Sequence, residues 1–345
     1  MSERTLFLDQ GIGESRGVVM LDGLPERLLI ERDGEAAATR LGARHVGRVR
    51  KVEPAFASAF VDLGGVEALL SFKPDARPVE GQSLEVEIRS EPRRDKLATV
   101  RAVGPADGAP RLLEAAPSLR ERLQGFARGA EIVEGREARQ AADEAEADAL
   151  QIVHRLPGGG DIAIEPTRAL TAIDVDLGER KGNDAKRVTR QANLAALATG
   201  ARLLRLKGLG GIVIFDLVGR GHDGNALLTA ARAAFAPDNP GVAIGPVGRF
   251  GTMELTVPRR TPPLSDVLCD STGALSEQTV ALRLIRAIEN EGAAYPGARL
   301  SASCAAGIAT AAAPLAERLA DKIGARFAIE PAPGFQRERF EVKAL

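Results

Sequence analysis

The sequence predicts a mixed α/β protein of several domains: a small β-barrel, then a layered α/β region, then a smaller C-terminal α/β unit. Its 345 residues exceed the usual size of one domain. Residues 44–103 have the pattern of short strands separated by Gly and Pro turns, which is typical of a small antiparallel barrel. From residue 156 onward apolar strands alternate with helices, which is the pattern of a layered core.

The composition is that of a globular protein, with 44% hydrophobic and 27% charged residues. A net charge of -1 means that any nucleic-acid surface would have to be a local patch. No stretch approaches the roughly 20 apolar residues of a membrane helix, and we expect no signal peptide. Two distant cysteines, Cys269 and Cys304, form no disulfide framework, so we expect a cytoplasmic location.

The predicted domains follow one another along the chain. Their boundaries are 1–40 for N-terminal strands that pack with the layered region, 41–103 for the barrel, 104–155 for a short helical connection, 156–260 for the layered region, 261–273 for a linker and 274–345 for the C-terminal unit. Within the layered region we expect helices over 184–206 and near 224–235, with "VAIGPVGRFGTMELTV" as the last strand. The strand "GIVIFD" is almost uniformly apolar, which predicts that both of its faces are covered.

Three aspartates stand out because strand interiors are usually poor in Asp. Asp174 and Asp176 lie two residues apart in "ALTAIDVD" and so share one face of the strand, while Asp216 ends "GIVIFD". If the two strands are neighbours, Asp174 and Asp216 lie close together and repel, and a divalent cation such as Mg²⁺ would relieve the repulsion. The alternative is that each Asp caps a helix or closes a turn. Asp176 is open to three interpretations: a metal ligand, a residue that supports one, or an ordinary strand end.

The barrel segment "FASAFVD" predicts an aromatic surface. Alternation puts Phe56 and Phe60 on one face, and Ala57, Ala59 and Val61 on the other, which is the natural core face. Together with the nearby cations Arg48 and Lys51, exposed phenylalanines would form a stacking platform for unpaired bases. The alternative is that the faces are reversed and the phenylalanines are core. Asp62, which ends the segment, is expected to close a turn.

A basic segment, "GERKGNDAKRVTRQ", directly follows the strand that carries Asp174. Its cations are Arg180, Lys181, Lys186, Arg187 and Arg190. Beside a metal site such residues would bind phosphate groups. The alternative is an ordinary solvated helix face.

Several of these segments resemble one known protein family. "LPGGGDIAIEPTRALTAIDVD", "NLAALATGARLLRLKGLGGIVIFDLV" and "VGRFGTMELT" are similar to the catalytic region of the bacterial ribonuclease E/G family. "HVGRVRKVEPAFASAFVDLG" resembles the RNA-binding barrel of that family, an OB-fold. The similarity is dense over 156–257, clear over 44–64 and faint over 1–40 and 274–345.

The resemblance implies an endoribonuclease of single-stranded RNA that uses Mg²⁺, or alternatively Mn²⁺, and leaves 5′-phosphate and 3′-hydroxyl ends. It implies a DNase I-like and ribonuclease H-like catalytic core in which Asp174 and Asp216 are the metal ligands, with Asp176 at the position of an assisting Asn. It also implies RNA contacts by Arg249 and Phe250 in the "RFG" segment and base stacking on Phe60.

The sequence departs from the family pattern at three points. Only about fifty residues join the barrel to the catalytic region, and no match to the family's pocket for a 5′-monophosphate end occurs there. In place of the C-x-x-C zinc link between protomers stands "DVLC", with Asp266 in the first position and Cys269 in the second. This argues against a zinc-bridged homodimer, although two Asp-x-x-Cys half-sites remain an alternative. Gly219 stands where the family has a second Asp.

The function predicted from the sequence is therefore a Mg²⁺-dependent endoribonuclease. One alternative is a non-catalytic RNA-binding relative of the same fold. A more distant one is a metal-dependent phosphohydrolase of small nucleotides, for which the barrel has no obvious use.

Overall fold

The computed structural model describes residues 3–35, 37–94 and 96–345. The strands before the first helix are β1 (Arg4–Gln10), β2 (Glu14–Leu21), β3 (Leu24–Arg32), β4 (Arg44–Glu53), β5 (Ser58–Asp62), β6 (Glu67–Ser71), β7 (Ser83–Ser90), β8 (Ala98–Pro105) and β9 (Arg111–Glu114). The central elements are α1 (Leu119–Phe126), β10 (Ile132–Glu134), α2 (Arg136–Leu150), β11 (Val153–Arg155), β12 (Asp161–Pro166), β13 (Thr171–Asp176), α3 (Ala185–Lys207), β14 (Gly211–Asp216), α4 (Gly224–Ala234), β15 (Ala243–Val247) and β16 (Thr252–Val257). The last elements are α5 (Leu264–Leu268), α6 (Glu277–Ala294), β17 (Leu300–Cys304), α7 (Ala306–Ile323), β18 (Phe327–Pro331) and β19 (Phe340–Ala344).

The N-terminal strands form a four-stranded sheet in the order β10-β1-β2-β3. Alternate residues of its strands serve two cores, as the two-residue period of a strand requires. Leu6 and Val19 pack with Leu123 of α1, whereas Val18 and Leu28 belong to the main hydrophobic cluster of the protein. The sheet therefore lies between α1 and the central region of the chain.

The barrel consists of five strands in the order β5-β6-β8-β7-β4, closed by pairing of β4 with β5. Strand β9 adds to the outside of this ring along β4. The expectation of a wholly antiparallel barrel is wrong, because β6 and β8 pair in parallel. Parallel neighbours need a crossover connection, and β7 lies between them in the chain. The interior is a separate cluster of buried apolar side chains that includes Val49, Val61, Val86 and Ile88.

The central region is built on a six-stranded sheet in the order β11-β12-β13-β14-β16-β15. Strands β13 and β14 are parallel, and α3 is the crossover between them. The Asp184 carboxylate caps α3, and Gly208 ends it in a left-handed conformation with φ 66°. The segment expected as one last strand is two strands, β15 and β16, because residues 248–251 turn back and Gly251 has φ 87°.

One face of this sheet is buried and the other is open, so the expectation that "GIVIFD" is covered on both faces is wrong. In β14 Val213 and Phe215 are 0% exposed, whereas Ile212 is 49% exposed. Helix α3 packs on the buried face at short range: a Cβ built on Gly200 would lie 2.7 Å from the Phe215 ring. The open face is where β13 and β14 carry their aspartates.

The C-terminal part contains α6, α7 and a three-stranded sheet in the order β18-β17-β19. Its apolar side chains, among them Ile288, Leu300 and Ile308, belong to the same cluster as the central sheet. The short helix α5 lies within the stretch expected as a linker. Among the described residues no helix has the length and apolar character needed to cross a membrane.

Candidate active site

The candidate site is the end of the open face of the central sheet, where β13 and β14 finish. Asp174 and Asp216 are direct partners in the parallel register of these strands. Both side chains are exposed. Neighbouring strands lie about 4.8 Å apart, so the register brings the two carboxylates together, as the sequence predicts for adjacent strands.

Neither carboxylate has a protein partner among the described residues, since no hydrogen bond and no ion pair involves the Asp174 or Asp216 side chain. Neither therefore caps a helix or closes a turn. Like charges directly opposite each other on a sheet are destabilising. A bound cation would remove this repulsion, and the exposed face leaves room for one.

The donor set fits a hard divalent cation better than a soft one. In the part of the chain that the structure describes, no three His, Cys, Asp or Glu side chains converge as a metal-binding group. The pair Asp174 and Asp216 supplies two carboxylates, and Mg²⁺ commonly takes one or two from a protein and completes its shell with water and phosphate oxygens.

Asp176 lies on the same face, but its side chain forms a hydrogen bond within the turn that follows β13. Its Oδ1 accepts a hydrogen bond from the Gly178 N–H at 2.6 Å, which closes the turn after β13. Its partner in the antiparallel register is Asp161 of β12. The open face thus carries a second acidic pair beside Asp174 and Asp216.

The basic segment after β13 divides into structural and unpartnered cations. Arg180 donates hydrogen bonds to the carbonyl oxygens of Gly159, at 3.0 Å, and Pro157, so it ties the turn before β12 to the turn after β13. Lys181 and Arg187 are exposed and form no ion pair with any described residue. They flank the start of α3, which follows the end of β13.

The turn between β15 and β16 brings an aromatic side chain to the end of β14. The Leu217 N–H donates to the Gly251 carbonyl at 3.1 Å, which joins this turn to the residue after Asp216. Phe250 is 78% exposed, and the Arg249 guanidinium lies over its ring at 4.5 Å. A cation and an aromatic face therefore stand together in the turn that is joined to the residue after Asp216.

The barrel carries the second group of predicted residues. Ala59 and Val61 are 0% exposed, so the face assigned to the core is indeed buried. Phe60 points outward, is partly exposed and lies opposite Lys51 in the register of β4 and β5. Phe56 is 80% exposed.

The expectation that Phe56 belongs to the same strand as Phe60 is wrong. Phe56 ends a short 3₁₀ turn that begins at Pro54, and Ala57 follows with φ 47°. Proline at the first position of such a turn fixes its φ and ends the extended run. Phe56 is thus presented by a turn, and Phe60 by the strand.

Two polar residues near the platform have partners of their own. The Asp62 carboxylate accepts hydrogen bonds from the N–H groups of Gly64 at 2.9 Å and Gly65 at 3.1 Å, which confirms it as a turn residue. These backbone donors hold the pKa of Asp62 below its ordinary value. Arg48, opposite Asp62 in the register, donates to the Gly108 carbonyl at 3.3 Å. The predicted RNA-binding residues thus form two groups, one on the barrel and one in α3 and the loops that follow β13 and β15.

Sequence reasoning missed Asn193, which helps to position the end of β14. Its side chain is 0% exposed, donates to the Val218 carbonyl at 3.0 Å and accepts from the Val218 N–H at 3.1 Å. The loop that begins at Asp216 is thereby fixed to α3. The signal is present in the sequence, because an Asn on the apolar face of an amphipathic helix needs hydrogen-bond partners.

The Asp-x-x-Cys segment is committed to other contacts within the chain. The Asp266 carboxylate forms an ion pair with Arg94 at 2.8 Å. Burial raises the pKa of the Cys269 thiol, which disfavours the thiolate form that binds zinc. Gly219 has φ 92°, and a Cβ there would meet Thr189 at 2.9 Å, so glycine suits this position.

Comparison with known proteins gives a consistent answer for the central region. Residues 112–260 match the model of the family described as the ribonuclease E/G family. Ribonuclease E of Haemophilus influenzae is 33% identical over 153 residues, which cover 41% of this chain and 16% of that protein. Ribonuclease E of Escherichia coli is also 33% identical over 153 residues, covering 41% of this chain and 14% of that protein. Ribonuclease G of Salmonella typhimurium is 25% identical over 208 residues, or 56% of this chain and 42% of that protein. The chain therefore matches less than half the length of each of these relatives.

Proposed function

We propose that the chain, whose residues 112–260 match the ribonuclease E/G family, is an endoribonuclease of single-stranded RNA. The observation that carries the proposal is the register pair Asp174–Asp216, two exposed carboxylates without a protein partner at the end of two parallel strands. The names of the relatives, Ribonuclease E and Ribonuclease G, support RNA as the substrate.

Asp174 and Asp216 would hold one Mg²⁺, with Mn²⁺ as an alternative. When bound, such an ion lowers the pKa of a water molecule and neutralises charge that develops on the attacked phosphate. Asp176 would support this pair through the turn that it closes with Gly178. Hydrolysis by water in line with the leaving oxygen would give 5′-phosphate and 3′-hydroxyl ends.

The other residues would bind and orient the RNA. Lys181 and Arg187 are free to pair with backbone phosphates, and this contribution would weaken with salt. Phe250, with Arg249 over its ring, would stack on a base next to the cleaved bond. On the barrel, which we propose to be an OB-fold, Phe56 and Phe60 would stack on unpaired bases farther along the strand, with Arg48 and Lys51 near its phosphates.

The test is cleavage of an end-labelled, unstructured RNA by the purified protein in Mg²⁺, compared with the same reaction in EDTA. We expect internal cuts only with the metal, and ligation-based mapping should find 5′-phosphate ends. Asp174→Asn should lose cleavage while RNA binding, measured by fluorescence anisotropy in EDTA, stays within about twofold of the parent.

Other outcomes separate the alternatives. Binding without cleavage under every metal tried would favour a non-catalytic RNA-binding relative. Hydrolysis of small nucleotides that oligonucleotides do not inhibit would favour a phosphohydrolase. Equal cleavage by Asp174→Asn and the parent would contradict the assignment of the site.

A further inference from the structure

A large cleft lies away from the Asp174–Asp216 pair, at the junction of the N-terminal sheet, the barrel, α1 and the end of α3. Its volume is about 1020 Å³, near the upper end of the range for small-molecule sites. We call it the junction cleft. Its walls come from β3 at 27–32, the segment 91–94 after β7, the end of α1 and the segment 260–267.

Arginine dominates the charge of the junction cleft. Among the described residues its lining includes nine arginines and three carboxylates. Carboxylates within 3.0 Å partner six of the arginines: Arg4, Arg32, Arg40, Arg94, Arg122 and Arg205. These ion pairs hold parts of the fold together. Three arginines of the lining have no carboxylate oxygen of a described residue within 3.0 Å.

The three arginines without such a pair are Arg27, Arg93 and Arg260. Arg93 forms no hydrogen bond or ion pair through its side chain with any described residue. Arg260 donates only to the backbone carbonyls of Asp238, at 3.4 Å, and Pro240, at 3.1 Å. Arg93 and Arg260 thus form no ion pair with a carboxylate of any described residue, and Arg27 has only a long one.

Arg27 is the most deeply placed of the three. Its nearest carboxylate oxygen, on Asp238, is 3.5 Å away, while that residue makes a closer 2.8 Å contact with Arg205. The Arg27 Nε is buried without a hydrogen-bond partner. Burial lowers the pKa of Arg27, a cost that an anion beside it would offset.

The cleft also has an apolar and aromatic wall. Arg27 lies over the Phe126 ring at 4.6 Å, and Leu29, Leu41 and Leu264 line the space nearby. Guanidinium groups recognise phosphate oxygens through paired N–H donors, and a flat apolar wall suits a nucleobase. A ligand with several negative charges and one flat ring system satisfies both features.

We propose that the junction cleft binds a free nucleoside di- or triphosphate, with its phosphates on Arg27, Arg93 and Arg260. The bound nucleotide would contact the N-terminal sheet, the segment that follows β7 of the barrel and the segment 260–267 after β16 at the same time. It would thereby hold the barrel in one position relative to the central sheet. This site is separate from the carboxylate pair, and its occupancy does not depend on the proposed nuclease activity.

The test is isothermal titration of the full chain in EDTA with ATP, GTP, adenosine and pyrophosphate. We expect ATP or GTP to bind at least tenfold more tightly than adenosine or pyrophosphate. Arg93→Ala should weaken nucleotide binding by about ten- to a hundredfold, the usual range for a charge-assisted hydrogen bond, and Arg93→Lys should weaken it less. Arg232→Ala is the matched control, because this arginine is exposed on α4, outside the cleft and without a partner among the described residues.

Two results would overturn the proposal. The first is the absence of nucleotide binding at millimolar concentration, or binding that Arg93→Ala leaves unchanged while its thermal unfolding matches the parent. The second is Arg93-dependent binding of a 5′-phosphorylated RNA oligonucleotide without binding of any free nucleotide, which would make the cleft part of an RNA path.

Discussion

The tight contact between α3 and the central sheet predicts the effect of a single methyl group at Gly200. A Cβ at this position would lie 2.7 and 2.8 Å from two atoms of the Phe215 ring. The ring is 0% exposed and packs edge-on against Phe235 at a centroid distance of 6.4 Å, so it has little freedom to move away. Overpacking of this kind costs about 1–3 kcal/mol.

Gly125→Ala is the matched control, because it makes the same change in helix α1 where a Cβ would meet nothing within 4 Å. Both variants gain helix propensity, up to about 1 kcal/mol, so their difference isolates the packing cost. We expect Gly200→Ala to be about 1–3 kcal/mol less stable than Gly125→Ala.

The assay is urea unfolding followed by circular dichroism, since the chain has no Trp for fluorescence. Because Asp216 directly follows Phe215, Gly200→Ala should also slow RNA cleavage, whereas Gly125→Ala should not. If the two variants had equal unfolding free energies, the packing argument for the position of β14 would be refuted.

Three further predictions concern single residues. Phe60→Ala should weaken single-stranded RNA binding by about 1–3 kcal/mol in an anisotropy titration, and Val79→Ala, 70% exposed on the same barrel, should not; equal affinities would exclude the stacking platform. Asn193→Leu should lower the unfolding free energy by about 1–3 kcal/mol for each Val218 backbone group that it leaves unpaired, and RNA cleavage should fall in parallel. An unchanged urea midpoint would argue against the role of Asn193 in fixing the loop after β14. Burial lowers the pKa of Lys207 to about 8 from its ordinary 10.5, so between these pH values the unfolded state holds a proton that the folded state has released. Stability of the parent relative to Lys207→Met should therefore rise by about 3 kcal/mol from pH 8 to 10.5, and a flat difference would contradict that pKa.

The sequence predicted those parts of the fold that depend on local patterns. The helices predicted over 184–206 and near 224–235 correspond to α3 and α4 within one residue at each end. Asp174 and Asp216 could be singled out because carboxylates at the ends of apolar strands are costly without a partner. Whether the two aspartates lie close together depends on whether their strands are neighbours in the sheet. Local sequence patterns do not determine the order of strands in a sheet.

The errors arose where tertiary structure overrides a local pattern. The run "GIVIFD" suggested a strand covered on both faces, but helices pack on only one side, and Ile212 remains 49% exposed. The turn at Gly251 divides one expected strand into two. Phe56 left the strand pattern because Pro54 starts a 3₁₀ turn. The junction cleft could not be foreseen, because Arg27, Arg93 and Arg260 come from β3, the segment after β7 and the segment after β16, far apart in the chain.

The most direct test of the proposed active site compares two carboxylate variants on the open face of the central sheet. Asp216→Asn removes one charge of the proposed metal pair, whereas Glu165→Gln removes an exposed carboxylate from β12 on the same face. In Mg²⁺, with a labelled unstructured RNA, we expect Asp216→Asn to cut at least about 100-fold more slowly than the parent and Glu165→Gln to match the parent. Equal cleavage by Asp216→Asn and the parent would contradict the assignment of Asp174 and Asp216 as the catalytic pair.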